Sequence, residues 1–323
     1  MNVLSLFDGI SACHLALTKS GFDVDTYYTA EIDKYATQIS EHHYPNAIRL
    51  GDVTKWQDWD IDWSSIDLVT GGFPCQAWSL AGKQLGDKDE RGMLFWTMLD
   101  IMKMVLKHNP KAYFLMENVK MKKEFEEYIT HHTEQALGKV EKHLINSSLV
   151  SAQNRQRWYW TNIQGITPPE DKGLVLADVI ESGYADREKS MHQVVVERPC
   201  EPRDFNTDSL CHHAADATDI KGNESIKRVY AETGKAPTLT TMGGGHREPK
   251  VLNSELSYRK LTPLECERLQ TFPDFFTLVT DENGKQLVSN TQRYKALGNA
   301  WTVDVIAHIF SFMEIRNETK TTN

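Results

Sequence analysis

Cys75 stands in the string Gly71-Gly72-Phe73-Pro74-Cys75-Gln76, directly after the apolar run 66–70. A thiol on a loop at the carboxyl end of a strand can be exposed, and near a helix N-terminus or a base it loses its proton and becomes a nucleophile. A lone cysteine is otherwise a small buried hydrophobe. The paired glycines and the Phe-Pro step favour the first reading, because they fix a backbone path that burial alone does not require. Glu117 follows a second apolar run, 112–116, in Met116-Glu117-Asn118-Val119. A carboxyl half-sunk beside apolar neighbours can share a proton with a ring nitrogen; the plainer alternative is a cap for a following helix. In Gln153-Asn154-Arg155-Gln156-Arg157 the two arginines alternate. In an extended segment both point to one side, as a clamp on an anion or carbonyl, or as a solvated edge.

Three further acids fall just after apolar runs. Phe7-Asp8-Gly9-Ile10-Ser11 follows the run 3–7 and opens a helix, Glu31 closes the run 27–32, and Asp52 lies in Gly51-Asp52-Val53. Acids at such positions hold ribose hydroxyls and base amino groups in dinucleotide folds. Each alone reads as structural; together, at successive strand ends, they outline a nucleoside pocket.

The elements that must position these residues alternate between strand and helix through residue 165. Strands are expected at 3–7, 27–32, 66–70 and 112–116, and helices at 11–20, 33–43 and 93–108, the last apolar over much of its surface. That alternation predicts an α/β fold, a doubly wound and mostly parallel sheet covered on both faces. From 165 to 256, Pro and Gly punctuate the chain every few residues, which predicts a small loop-rich second domain with short strands at 194–196 and 238–241. Helices return at 263–270, where Thr262-Pro263-Leu264-Glu265 makes a strong N-terminus, and at 302–315. The expected division is 1–164, then 165–256 as the second unit, with 257–323 returning to the first.

Length and composition fit a globular protein of two domains: 323 residues, 40% hydrophobic and 25% charged. The net charge of −9 argues against a globally basic nucleic-acid coat. No apolar run approaches a membrane span, and the N-terminus lacks a basic flank, so a cytoplasmic location is expected. Five scattered cysteines without a C-x-x-C pair predict neither disulfides nor a metal site. Locally the charge reverses: residues 225–260 hold seven cations against three acids. This is either a solvated loop or a basic face around 238–247, with Arg247 and Lys250 on it, for an anionic partner. A cysteine protease is excluded because no histidine falls at these strand ends.

The order and wording of these segments resemble the cytosine-C5 DNA methyltransferase family, of phage and bacterial type. The resemblance runs through Phe7-Asp8-Gly9, Glu31, Asp52, Gly72-Phe73-Pro74-Cys75-Gln76, Arg91-Gly92-Met93-Leu94, Glu117-Asn118-Val119, Gln153-x-Arg155-x-Arg157, 259–268 and Gly298-Asn299-Ala300. It implies an S-adenosyl-L-methionine-dependent sheet with a variable recognition domain. Cys75 is then the nucleophile toward C6 of a flipped-out cytosine, and Glu117 the proton donor at N3. Arg157 takes the O2 carbonyl, with Arg155 steadying the same loop. The cofactor residues implied are Phe7, Asp8, Gly9, Glu31, Ile32, Asp52, Val53, Pro74, Leu94, Asn299 and Ala300. Gln76, Ser79, Lys83 and Arg91, on a mobile loop 76–91, are the implied DNA contacts beside Arg247 and Lys250. The implied partner is double-stranded DNA, the enzyme is a monomer, and a cognate restriction endonuclease is a functional rather than physical partner. A tRNA methyltransferase of the same family and an inactive DNA-binding relative are the alternatives. The chain departs from the pattern at Ser11 and Ala12, where glycines are usual, at Ile32, and at Trp301, where a small aliphatic residue is common.

Overall fold

Strands whose two faces are both covered read as continuous apolar runs; three such segments and two more polar ones lie side by side in parallel. They are β1 (Asn2–Leu6), β2 (Thr26–Ala30), β3 (Ile48–Arg49), β4 (Leu68–Gly71) and β5 (Tyr113–Val119). The structure, a computed structural model, describes residues 1–74, 92–181, 192–193, 210–252 and 257–314. Two more strands, β6 (Glu141–Asn146) and β7 (Gln156–Thr161), complete the sheet, with β7 antiparallel to both β5 and β6. The order is β3-β2-β1-β4-β5-β7-β6, so the chain reverses its direction of travel between β1 and β4. Ligands bind outside the strand ends at that switch point.

Side chains alternate across each strand and feed two cores. Val3, Leu68, Leu115 and Tyr159 pack on one face, with α1 (Ala12–Lys19) and α2 (Lys34–His43). Leu4, Val69, Phe114 and Trp160 pack on the other, with α3 (Met93–His108) and α4 (Lys123–Leu137). Helix α3 has the bounds its sequence predicts. Helix α4 and strand β6 were not anticipated: both are rich in charge, and α4 buries Glu126, whose carboxylate pairs with Lys142 of β6.

A second sheet of five short strands, order β8-β12-β11-β10-β9, follows. It comprises β8 (His192–Gln193), β9 (His213–Asp216), β10 (Arg228–Tyr230), β11 (Lys250–Leu252) and β12 (Ser257–Lys260), with a single turn of helix α5 (Glu224–Lys227). Residues 194–196 lie outside the described residues. The strand expected at 238–241 does not form, because side chains satisfy its backbone in place of a neighbouring strand. Gln153 Oε1 accepts from the Leu239 amide at 2.9 Å, and Arg155 donates to the Leu239 carbonyl at 3.0 Å.

Helix α6 (Pro263–Leu269) begins at the expected capping box: Thr262 Oγ1 accepts from the Glu265 amide at 3.1 Å, and the Glu265 carboxylate accepts from the Thr262 amide at 2.8 Å. Helix α7 (Asn290–Asn299) was not expected, and α8 (Val303–Phe310) is shorter than the 302–315 predicted. Helix α8 packs on α1, which brings the chain's last helices back to the first sheet.

Candidate active site

The turn after β1 is built around a buried carboxylate. Asp8 accepts from the Tyr27 hydroxyl at 2.5 Å, Ser11 Oγ at 2.6 Å and Thr29 Oγ1 at 2.8 Å, locking the turn to β2. Phe7 and Ser11 both sit at positive φ, 54° and 60°. Ser11 thus adopts the left-handed geometry for which glycine is the default, and its hydroxyl offsets the strain through Asp8 and Ser40, each at 2.6 Å. Gly9 donates its amide to Glu31 Oε2 at 2.9 Å, while Glu31 Oε1 accepts from the amides of Ile32 and Asp33 at 2.8 and 2.7 Å. Burial pushes the Glu31 carboxyl up from its ordinary range against the pull of those amides. Asp33 caps α2 and pairs with Lys295 of α7 at 2.5 Å. Asp52 lies three residues past β3 and caps a 3-10 turn, and the Thr54 amide and hydroxyl hold its carboxyl below the ordinary range.

These strand ends surround one cavity of about 440 Å³. Its walls include Phe7, Asp8, Gly9, Glu31 and Ile32 from the first two strand ends, then Asp52, Val53, Pro74 and Leu94. Asn299 and Ala300 close it from the C-terminal segment. Glu117, Arg155 and Arg157 open onto the same space. Sequence reasoning did not assign Gln292 or Lys295 to this wall, since nothing marked α7 as a helix, and it noted Trp301 only as a departure.

Glu117 lies inside β5 rather than after it, opposite Tyr159 of β7. Arg157 Nε meets Glu117 Oε1 at 2.9 Å, and Trp301 Nε1 donates to Oε2 at 3.0 Å. Arg155, only 3% exposed, borders the cavity but spends its guanidinium on the carbonyls of Leu239, Gly298 and Ala300. Two arginines two residues apart therefore do different work: one faces the cavity's carboxylate, the other staples three distant segments together.

A family model described as C-5 cytosine-specific DNA methylase matches residues 1–314. The chain belongs to that family. Among relatives of this C5 methylase, the orphan methyltransferase M.SPBetaI of Bacillus phage SPbeta is 28% identical, over 96% of each chain. The type II methyltransferase M.HhaI of Haemophilus parahaemolyticus is 30% identical, over 96% of this chain and 93% of its own. Two solved structures share the fold: the Entamoeba histolytica methyltransferase EhMeth, with a TM-score of 0.68 at 14% identity and 97% coverage of each chain, and a putative DNA modification methyltransferase encoded within an E. coli prophage. The latter has a TM-score of 0.62 at 18% identity, covering 97% of this chain and 98% of that one.

Cys75, Gln76, Ser79, Lys83 and Arg91 of this C5 methylase lie outside the described residues. The described thiols are not activated: burial pushes Cys13 up to about 12 and also raises Cys211, and burial with the charges of Glu265, Glu267 and Glu248 raises Cys266. Among the described residues no cluster of three His, Cys, Asp or Glu can hold a metal ion.

The basic surface expected over 225–260 needs correction. Lys250 is 2% exposed, and its ammonium donates to the carbonyls of Ile226, His246 and Glu248. Burial pulls it down to about 8, and it has no route to a phosphate. Lys235 is likewise buried on the carbonyls of Ser148, Ser151 and Leu174, and Arg259 pairs with buried Glu265 at 2.7 Å. Three of the seven local cations thus staple the interior. Arg228 and Arg247 remain exposed.

Proposed function

We propose that this DNA (cytosine-5-)-methyltransferase uses Cys75 as nucleophile, Glu117 as acid and S-adenosyl-L-methionine as methyl donor on a cytosine flipped out of double-stranded DNA. The observation that carries this reading is the shared cavity. The Glu117 carboxylate, gripped by Arg157, opens onto the space that Glu31 and Asp52 also line.

The residues present fit the donor. A cavity of about 440 Å³ suits a small-molecule ligand. Glu31 would take ribose hydroxyls and Asp52 the adenine amino group, with Phe7 and the 77%-exposed Ile32 as apolar surface for the ring. Asp8 and Gly9 set the turn, while Val53, Pro74, Leu94, Asn299 and Ala300 shape the remaining wall. When bound, S-adenosyl-L-methionine supplies an electrophilic methyl group.

The chain's own residues prepare the base. The Cys75 thiolate adds to C6, the ring electrons move toward N3, and Glu117 delivers a proton there, which leaves C5 electron-rich. Arg157 holds the O2 carbonyl, and Arg155 fixes the segment that carries it. Extracting the base from the duplex costs a few kcal/mol. Gln76, Ser79, Lys83, Arg91 and Arg247 meet the DNA. Target recognition falls to the region 165–256, which supplies four strands of the second sheet, with 1–164 and 257–323 forming the catalytic unit and β12 of the latter completing that sheet.

The enzyme acts as a monomer, and any cognate restriction endonuclease is a functional partner only. No helix among the described residues is long and apolar enough to cross a membrane, and we place the enzyme in the cytoplasm of a bacterium or phage-infected host. The test is expression in a host lacking cytosine methylation, with 5-methylcytosine mapped across its genome. One short methylated sequence, lost with Cys75→Ala or Cys75→Ser, is the expected result. Methylation of tRNA alone would overturn the DNA assignment, and transfer by either variant at the wild-type rate would overturn the mechanism.

A further inference from the structure

Trp301 lines the cavity directly beyond α7, and none of the roles above uses it. Its indole Nε1 donates to Glu117 Oε2 at 3.0 Å, while Arg157 Nε meets Oε1 at 2.9 Å, so each carboxylate oxygen has its own donor. The residues on either side of Trp301 are fixed by hydrogen bonds. The Ala300 carbonyl accepts from Arg155 at 3.1 Å and from Gln270 at 3.0 Å, and Thr302 Oγ1 bonds to Gln270 Oε1 and Ser147 Oγ, both at 2.8 Å. At Gly72 a Cβ would stand 2.9 Å from Glu117 Oε2, closer than real Cβ atoms come, and 3.0 Å from the indole nitrogen, so any side chain there would push against the pair. An indole N–H donates and never accepts, which makes it a permanent partner for an oxygen anion.

We propose that Trp301 is a positioning residue: opposite Arg157, it holds the Glu117 carboxyl in one plane and stabilises the carboxylate that remains once the proton has passed to N3 of the cytosine. This rests on the reading of Glu117 as the acid. In that step the nucleophile's electron pair forms the bond to C6, and the C5–C6 π pair moves to C4–C5. The C4–N3 π pair moves onto N3, which takes the proton, and Glu117 is left ionised. A donor on the departing side of that transfer makes Glu117 a better acid. The other charged or titratable groups around it are Arg157 on β7, Arg155 just before β7, and the Tyr159 phenol, which burial holds un-ionised. Segment 298–301 contributes none.

The test compares wild type with Trp301→Phe, which keeps a ring and loses the N–H, and with benzothienylalanine at position 301, which keeps the indole's shape and replaces only N–H by sulfur. The substrate is DNA from a host lacking cytosine methylation, and single-turnover methyl transfer is followed across pH. Loss of one bond to a charged group is expected to slow the step about tenfold or more. It is also expected to move the alkaline limb up by about one pH unit, because a weaker acid keeps its proton longer. Without any methyl donor, exchange of C5 deuterium with solvent should slow in parallel. A rate loss with an unmoved limb would mean a merely structural role and overturns the inference, as does an unchanged rate. If wild type leaves no 5-methylcytosine, or Glu117→Gln keeps the wild-type rate, the reading of the acid falls first and takes the inference with it.

Discussion

Arg155 Nη2 donates to the carbonyl of Ala300 at 3.1 Å, across 145 residues of sequence. With its further bonds to Gly298 and Leu239 it ties β7, the irregular segment after Ala236 and the end of α7 into one wall. Arg155→Ala removes the guanidinium from the buried carbonyls of Leu239 and Gly298, leaves Ala300 with Gln270 alone, and should cost on the order of 3 kcal/mol. A lower urea midpoint at constant m-value would show it. Arg157→Ala should leave the midpoint close to wild type and lower kcat instead, and equal losses of stability in the two variants would contradict this division of labour.

Ser11 carries left-handed backbone and two short hydroxyl bonds, so its substitutions separate strain from hydrogen bonding. Ser11→Ala keeps the strain and loses both bonds, a destabilisation of about 2 kcal/mol. Ser11→Gly loses the same bonds but relieves roughly 1 kcal/mol of backbone strain. The glycine variant should therefore melt above the alanine variant in calorimetry.

Glu31 supplies a pH dependence. Its native carboxyl titrates above the ordinary range because burial disfavours the charge. The native chain therefore binds this proton more readily than the unfolded chain, and the stability this group contributes is present below the ordinary 4.5 and is lost as pH rises through the raised value. Ligand binding has the opposite sign, since only the ionised form accepts freely from ribose hydroxyls. Calorimetric titration with S-adenosylhomocysteine should show affinity falling on acidification at a higher pH than an exposed carboxylate would give. Glu31→Gln should weaken binding about tenfold and flatten that limb.

Lys250 and Arg247 are three residues apart and should fail in different assays. Lys250→Ala leaves the carbonyls of Ile226, His246 and Glu248 without their ammonium and should cost about 2–3 kcal/mol of stability, with the salt dependence of DNA binding unchanged. Arg247→Ala, at an exposed position, should leave the melting temperature alone and reduce the slope of log affinity against log salt by about one.

Where a local rule decides the structure, the sequence was readable. Helix α3 is apolar enough, and the Thr262–Glu265 capping box explicit enough, for their bounds to be read directly. Helix α4 escaped because its charged face outweighs the few residues it buries. The segment at 238–241 has strand-forming residues, but its backbone partners are the side chains of Gln153 and Arg155, which lie some 85 positions away. Counting cations along 225–260 misled for a related reason: charge is a property of sequence, and its direction is not. The cavity was legible because strand ends converge in any sheet of this order. The bond from Trp301 to Glu117 was not, since it joins residues 184 positions apart.

The cavity wall at 292–301 has a consequence for timing. Lys295 meets Asp33 across 262 residues, and α8 covers α1, so a ribosome that has finished the first sheet has built only part of a site. A transcript cut short before α7 would yield a chain whose cavity lacks the wall that Gln292, Lys295, Asn299, Ala300 and Trp301 provide.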